Sequence, residues 1–331
     1  MAYQRIGIIG GGAWGTALAQ TMQAAGRDAL LWAREADVVA AVNDAHANPV
    51  FLPGVALHAG LRATGDLAEV ARRDVVLMVA PAQHLRSVGA ELALHLPPGV
   101  PLVICAKGLE QATGKLLGEV LAEVLPQATQ AVLSGPSFAA DVARGLPAAL
   151  TLATADEVLG QALSAALGYR QFRLYWSSDP IGVQLGGAVK NVLAIAAGVV
   201  ESKGLGASAH AALVTRGFAE MRRLGKALGA RPETLIGLSG LGDLILTCGS
   251  PQSRNMSLGR ALGRGETLPQ ALAGKLAVTE GVYTAAAVRR IAEDKSIDMP
   301  ICAAVCDIID GRTSVKDAIG QLMQRPLKAE D

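Results

Sequence analysis

The sequence predicts an α/β protein in which an N-terminal, doubly wound and mainly parallel sheet is followed by an all-helical C-terminal domain. Three observations predict it. Short β-branched runs alternate with helical stretches up to about Asp179, several of these runs are continuously apolar, and a glycine-rich turn joins the first strand to the first helix. Strands buried on both faces of a parallel sheet read as continuous apolar runs, and strand–helix–strand repetition implies right-handed crossovers.

The expected strands are Arg5–Ile9, Asp28–Ala33, Asp74–Ala80, Pro101–Ala106, Gln130–Ser134, Ala148–Ala153 and Phe172–Trp176. Val75-Val76-Leu77-Met78-Val79 is the plainest apolar run. Helical windows lie between them at Thr16–Ala25, Ala82–Leu94 and Lys115–Leu125. The stretch Asn48–Leu61, with Pro49, Pro53 and Gly54, reads as a loop beside an edge. After Pro180 strand-like runs vanish. Helices are expected over Ile181–Glu201, Ala207–Leu228, Ser257–Leu262, Glu280–Glu293 and Ile301–Ile309, punctuated by glycines and prolines. The boundary therefore falls near Ser178-Asp179-Pro180, giving domains of residues 1–179 and 180–331.

Length and composition agree. At 331 residues two domains are the default, and 51% apolar residues suffice for a sizeable core. A formal charge of +1 argues against nucleic acid as partner but allows a small anion held by a local basic cluster. Four scattered cysteines (Cys105, Cys248, Cys302, Cys306) suit a reduced, cytoplasmic protein better than a disulfide framework, and no Cys/His set suggests a metal. The N-terminus runs directly into strand pattern, without the profile of a signal peptide. The apolar segment Val183–Val200 contains Lys190 and Asn191, so a buried helix is expected there and no membrane insertion.

Gly10-Gly11-Gly12-Ala13-Trp14-Gly15 is a G-x-G-x-x-G turn in its required setting, after a strand and opening a helix. Gly10 permits the tight turn, Gly12 admits a pyrophosphate against the backbone, and Gly15 lets helix and sheet pack closely. The following helix N-terminus offers free N–H groups to the diphosphate. The turn thus predicts a Rossmann-type dinucleotide site. At the end of the second strand, Arg34 stands where a ribose 2′-phosphate would lie, with Glu35 next to it. NADPH is therefore expected to bind at least as well as NADH.

Polar residues in apolar settings mark the chemistry. Lys107 follows the buried run ending at Ala106, at the edge that lines the ligand crevice, where it suits a phosphate or a carbonyl. Ser134-Gly135-Pro136-Ser137-Phe138-Ala139 follows another strand and opens a helix suited to an anion or the nicotinamide. Lys190, inside an apolar helix, costs several kcal/mol unless paired or deprotonated, so a general acid/base of lowered pKa is expected. Asp243, isolated among apolar residues and one helical turn before Thr247, is its natural partner. Ser253-Arg254-Asn255 gathers hydroxyl, guanidinium and amide at a helix start, a phosphate-binding arrangement. Val278-Thr279-Glu280 lies within reach of a cofactor, although spacing alone makes Glu280 only a helix-start carboxylate.

With these segments in this order, the chain resembles the bacterial soluble NAD(P)-dependent glycerol-3-phosphate dehydrogenases. The resemblance is carried by Gly10 to Ala19, Ala106 to Glu110, Ser134 to Ala139, Gly182 to Asn191, Thr215-Arg216-Gly217, Gly240 to Leu244 and Gln252 to Asn255. It implies reversible reduction of dihydroxyacetone phosphate to sn-glycerol 3-phosphate, feeding phospholipid synthesis. It implies Lys190 as proton donor and acceptor, with Lys107, Asn191, Asp243 and Thr247 around the reacting carbonyl. Gly135, Ser137, Ser253, Arg254 and Asn255 would hold the substrate together with Lys107, Lys190 and Asp243. Gly10, Gly12, Ala13, Trp14, Gly15, Arg34, Lys107, Ala139, Arg254, Val278 and Glu280 would contact the cofactor. Trp14 and Arg34 fall at positions that vary in the family, which leaves the choice between NADPH and NADH open.

Two rivals share parts of the pattern. A β-hydroxyacid or 6-phosphogluconate type dehydrogenase has the same turn, but there the lysine and asparagine on the interdomain helix are not adjacent. A non-catalytic NADP-binding regulator would need no Lys190–Asp243 pair. The apolar helical domain also makes a homodimer plausible.

Overall fold

The computed structural model describes residues 3–274 and 278–326. The N-terminal part contains ten strands: β1 (Arg5–Ile9), β2 (Asp28–Trp32), β3 (Ala47–Asn48), β4 (Leu52–Ala56), β5 (Arg62–Thr64), β6 (Val75–Met78), β7 (Pro101–Ile104), β8 (Thr129–Ser134), β9 (Ala148–Ala153) and β10 (Phe172–Ser177). Eight of them form one sheet in the order β10-β9-β8-β7-β6-β1-β2-β5. All neighbours are parallel except β8 and β9. The expected mainly parallel, doubly wound sheet is present, and the seven expected strands lie within it.

The continuous apolar runs have the cause assigned to them. Side chains alternate across a strand, so Val75 and Leu77 enter one core with Ile6, Ile8, Leu31 and Val103. Val76 and Met78 enter the other with Leu30, Trp32, Leu102 and Ile104. The helix Ala13–Ala24 contributes to the first core; Leu67–Ala71, Leu85–Leu92 and Leu117–Val124 cover the second.

Two features differ from expectation. The stretch Asn48–Leu61, expected as a loop, contains an antiparallel hairpin of β3 and β4. Pro53 and Gly54 are tolerated because β4 has a partner on one side only, so the missing N–H of Pro53 breaks no second ladder. The edge strand β5 was not expected, since three residues are too few for a periodic signal.

Strands end at Ser177 among the described residues, and a buried helix opens at Pro180, capped by Asp179 Oδ1 accepting from the Gly182 N–H at 2.9 Å. This helix, Pro180–Ser202, is long and apolar enough to cross a membrane, yet its apolar stretch Gly182–Val200 is buried within the protein. Helices Gly206–Leu228, Asp243–Cys248, Arg254–Gly263, Glu280–Asp294 and Pro300–Ile309 pack around it. All four cysteines are free and buried.

The helix Arg254–Gly263 meets the central helix through reciprocal glycines. A Cβ on Gly198 would fall 2.0 Å from the Met256 carbonyl oxygen, and one on Gly259 would fall 1.9 Å from that of Ile195. Backbone rather than a movable side chain sets this approach. Gly259→Ala is expected to force the helices apart and lower stability by roughly 1–3 kcal/mol, measurable by urea denaturation.

Candidate active site

The parallel strands β1, β2, β6, β7 and β8 all deliver their C-terminal ends to one edge, in register through Ile9, Trp32, Met78, Ile104 and Val132. Gly10, Arg34, Lys107 and Gly135 follow those ends directly or within three residues. The interdomain helix lies against the same edge. A Cβ on Gly187 would sit 2.6 Å from Ser134 Oγ and one on Gly186 2.5 Å from the Ser239 carbonyl oxygen. Those two glycines bring β8 and the π-helical turn Leu238–Gly242 onto the helix, and so carry Asp243 to Lys190.

At the centre, Asp243 is completely buried and accepts from two lysines. Lys190 Nζ donates to Asp243 Oδ1 at 2.5 Å and to Thr247 Oγ1 at 2.9 Å. Lys107 Nζ donates to Asp243 Oδ2 at 2.8 Å and to the Gly135 carbonyl at 2.8 Å. Thr247 in turn donates to the Asp243 carbonyl at 2.6 Å, which fixes its lone pairs toward Lys190. Burial, reinforced by the nearby Lys107 charge and opposed by Asp243, pushes the Lys190 ammonium down to about 8. The paired lysine and aspartate expected from sequence are therefore joined, and Lys107 completes the triad.

Asn191 bonds the backbone of the triad rather than its charged groups. Its Nδ2 donates to the Lys107 carbonyl at 3.1 Å, while its Oδ1 accepts from Asn255 Nδ2 at 2.9 Å. Asn255 Oδ1 accepts from the Gly281 N–H at 3.0 Å. This amide chain ties the Lys107 loop, the interdomain helix and the starts of two further helices together. Ser253 caps the helix Arg254–Gly263, its Oγ accepting from the Met256 N–H at 3.2 Å, so the hydroxyl proton remains available to an outside acceptor. Arg254 is exposed and has no hydrogen bond or ion pair among the described residues, so its guanidinium is free for an anion. Ser137 donates to the Gly135 carbonyl at 3.0 Å, beside Lys107 on the same oxygen. Gly135 itself has no room for a side chain, since a Cβ would lie 2.8 Å from Leu150 Cα.

The glycine turn, where a dinucleotide is expected, is equally well defined. Gly10 has φ +128°, and a Cβ on Gly15 would fall 1.9 Å from the Gly10 carbonyl oxygen. A Cβ on Gly12 would meet nothing within 4 Å, which leaves open space beside the turn. The N–H groups of Gly12, Ala13, Trp14 and Gly15 donate to no backbone carbonyl, and the helix they open has no side-chain cap. Trp14 Nε1 and Glu280 Oε2 are buried without hydrogen-bond partners. Buried polar atoms are normally paired, so these two suit a polar ligand lying between them and the turn. Glu280 Oε1 accepts from the Ala82 N–H at 3.0 Å, and burial pushes its carboxyl above the usual range, partly offset by that bond and by Arg254. Arg34 is exposed without an ion partner, Ala139 opens the short helix Ala139–Ala143, and Val278 is half-buried just before Thr279. One residue that sequence reasoning missed is Asn48, whose side chain reaches the glycine turn from the hairpin.

Residues 5–159 match the family model of the NAD-dependent glycerol-3-phosphate dehydrogenase N-terminus, and residues 179–320 match that of its C-terminus. The chain belongs to the NAD-dependent glycerol-3-phosphate dehydrogenase family. It is 60% identical over 330 residues to glycerol-3-phosphate dehydrogenase (NAD(P)+) of Parvibaculum lavamentivorans, covering 100% of this chain and 99% of that one. It is 58% identical to the enzyme of Caulobacter vibrioides, with 100% of both covered. The crystal structure of glycerol-3-phosphate dehydrogenase from Coxiella burnetii superposes with a TM-score of 0.94 at 37% identity, covering 98% of this chain and 100% of that one. The chain is thus an NAD(P)-dependent oxidoreductase of this family, and the two rival readings fall away.

Asp243→Asn would leave the buried Lys190 ammonium and the half-buried Lys107 ammonium without a carboxylate. Breaking a buried pair in this way is expected to cost about 3–5 kcal/mol. The loss, followed by urea denaturation at pH 7, is expected to shrink as pH rises through about 8, where Lys190 gives up its charge.

Proposed function

We propose that the chain reduces dihydroxyacetone phosphate to sn-glycerol 3-phosphate reversibly, using NADPH or NADH, and that it supplies glycerophospholipid synthesis from the cytoplasm. In this reading residues 1–179 are the dinucleotide-binding domain and residues 180–331 the substrate and catalytic domain. The observation that carries the reading is one buried carboxylate shared by Lys190 and Lys107, in a protein that also sets Arg254, without a salt bridge among the described residues, at a capped helix start.

When bound, the reduced nicotinamide supplies the hydride. Lys190 gives its Nζ proton to the substrate carbonyl oxygen and takes it back in the reverse direction. Its lowered pKa suits that exchange near neutral pH. Asp243 and Thr247 hold Nζ in place and balance its charge. Lys107, positioned by the Gly135 carbonyl and Asp243, presents a second ammonium to the oxygen that develops charge. Gly135 and Ser137 thus act on the substrate through Lys107, and Asn191 and Asn255 position the same loop. Arg254, the Ser253 hydroxyl and the free N–H groups of Arg254 and Asn255 at the helix start hold the phosphate. Gly10, Gly12, Ala13, Trp14 and Gly15 would receive the cofactor pyrophosphate, and Ala139, Val278 and Glu280 would contact the rest of the cofactor.

The test is NADPH absorbance on addition of dihydroxyacetone phosphate. Wild type is expected to oxidise NADPH, and Lys190→Ala to lower kcat by about 10²–10⁴-fold. Because the reduction needs protonated Lys190, kcat/KM is expected to hold at lower pH and fall as pH rises through about 8. The oxidation, which needs the neutral amine, is expected to rise through the same range. Undiminished activity of Lys190→Ala removes the mechanism.

Cofactor choice rests on Arg34. With no internal partner, its guanidinium is available to a ribose 2′-phosphate. Steady-state kinetics with both cofactors are expected to show KM for NADPH rising roughly tenfold in Arg34→Ala, with KM for NADH within about twofold of wild type. Equal shifts for the two cofactors would mean that Arg34 does not read the phosphate.

A further inference from the structure

The β3–β4 hairpin places one side chain in the glycine turn that the G-x-G-x-x-G pattern does not contain. Asn48 is 1% exposed. Its Nδ2 donates to the Gly11 carbonyl at 2.9 Å and to Thr16 Oγ1 at 2.9 Å. Its Oδ1 accepts from the Phe51 N–H at 3.1 Å, which fixes the end of the amide that faces the turn. Thr16 adds its own hydroxyl to the Gly11 carbonyl at 3.3 Å. One carbonyl oxygen in the turn therefore holds two side-chain donors, and both come from outside the glycines.

The carbonyl of Gly11 and the N–H of Gly12 belong to one trans peptide and point in opposite directions. Holding the carbonyl toward Asn48 and Thr16 aims the Gly12 N–H the other way. On that side the N–H groups of Gly12, Ala13, Trp14 and Gly15 have no backbone acceptor, and the space beside Gly12 is open. Glycine on both sides of this peptide leaves it free to rotate in a way that bulkier residues would resist. A rotated peptide would turn a carbonyl oxygen, a negative dipole end, toward the diphosphate.

We infer that Asn48 is a positioning residue of the cofactor site, which locks the Gly11–Gly12 peptide with its N–H toward the pyrophosphate. The inference rests on the reading of Gly10–Gly15 as the pyrophosphate cradle. It makes the hairpin, and not the glycine motif alone, responsible for the orientation of the cradle. It also places the effect on the part shared by all dinucleotides, so NADPH, NADH and ADP-ribose are affected alike, in contrast to the selective effect of Arg34.

Asn48→Asp keeps the acceptor for Phe51 but sets a carboxylate oxygen against the Gly11 carbonyl. Fluorescence titration with NADPH, and its displacement by ADP-ribose, are expected to give Kd values raised about tenfold for both ligands. kcat at saturating NADPH and KM for dihydroxyacetone phosphate are expected to stay within about twofold of wild type, as a purely structural lesion would not arrange. Thr16→Val removes the second donor with nearly the same shape, and is expected to shift both Kd values in the same direction by less. It carries the test where Asn48→Asp reduces the folded fraction. Wild-type Kd values in both variants, even with a lowered Tm, would overturn the inference while leaving the cradle reading intact. A wild type that binds neither NADPH nor ADP-ribose would overturn both.

Discussion

The buried Asp243 carboxylate is the constraint around which the proposed catalytic site is arranged. Two ammonium groups converge on it from different domains, Lys107 from the loop after β7 and Lys190 from the interdomain helix. Neither lysine would be tolerated at that depth without it, because an isolated buried charge costs several kcal/mol. One carboxylate against two ammonium groups leaves an excess positive charge when both are protonated. That excess is a stabilising field for an oxygen gaining negative charge. The structural requirement and the chemical one are met by the same arrangement.

The packing serves that convergence. Lys190 lies in the buried stretch Gly182–Val200 of its helix, and the crossing partner Arg254–Gly263 is fixed by backbone contact at Gly198 and Gly259. The carboxylate arrives through the π-helical turn, which the small residues Gly186 and Gly240 let approach the helix: a Cβ on Gly186 would lie 2.8 Å from Gly240 Cα. A site held by backbone against backbone has little slack. That matters for proton transfer, whose rate depends on hydrogen-bond distance.

Much of this was legible in the sequence, for identifiable reasons. Lys190 and Asp243 stood out because ionised residues in apolar runs are costly and need partners. The glycine turn stood out because its spacing has a stereochemical cause. The two-faced burial of β6 followed from an unbroken apolar run. The Asn48 latch was not legible, because an asparagine beside a proline in a polar stretch has the profile of an ordinary turn residue. Its partners, Gly11 and Thr16, are more than thirty residues away and are found only once the hairpin folds back. The amide chain from Asn191 through Asn255 to Gly281 was hidden for the same reason. The resemblance implies that both asparagines meet the substrate, and their side-chain amides also bond between elements of the protein.

These internal uses of polar groups connect the two halves of the site. Asn191 holds the carbonyl of Lys107, whose ammonium end reaches Asp243, so one residue is fixed at both its backbone and its tip. Asn255 links Asn191 to the N–H of Gly281, next to Glu280, and Glu280 in turn accepts from Ala82 just after β6. A path of hydrogen bonds, joined by the Glu280–Gly281 peptide, therefore runs from Asp243 to Ala82 and passes between the two halves of the chain three times. Hydride and proton must reach adjacent atoms of one carbonyl group, and the groups governing them belong to separately packed cores. Fixed polar links between those cores set their separation where apolar contact, being non-directional, would leave it free to slide.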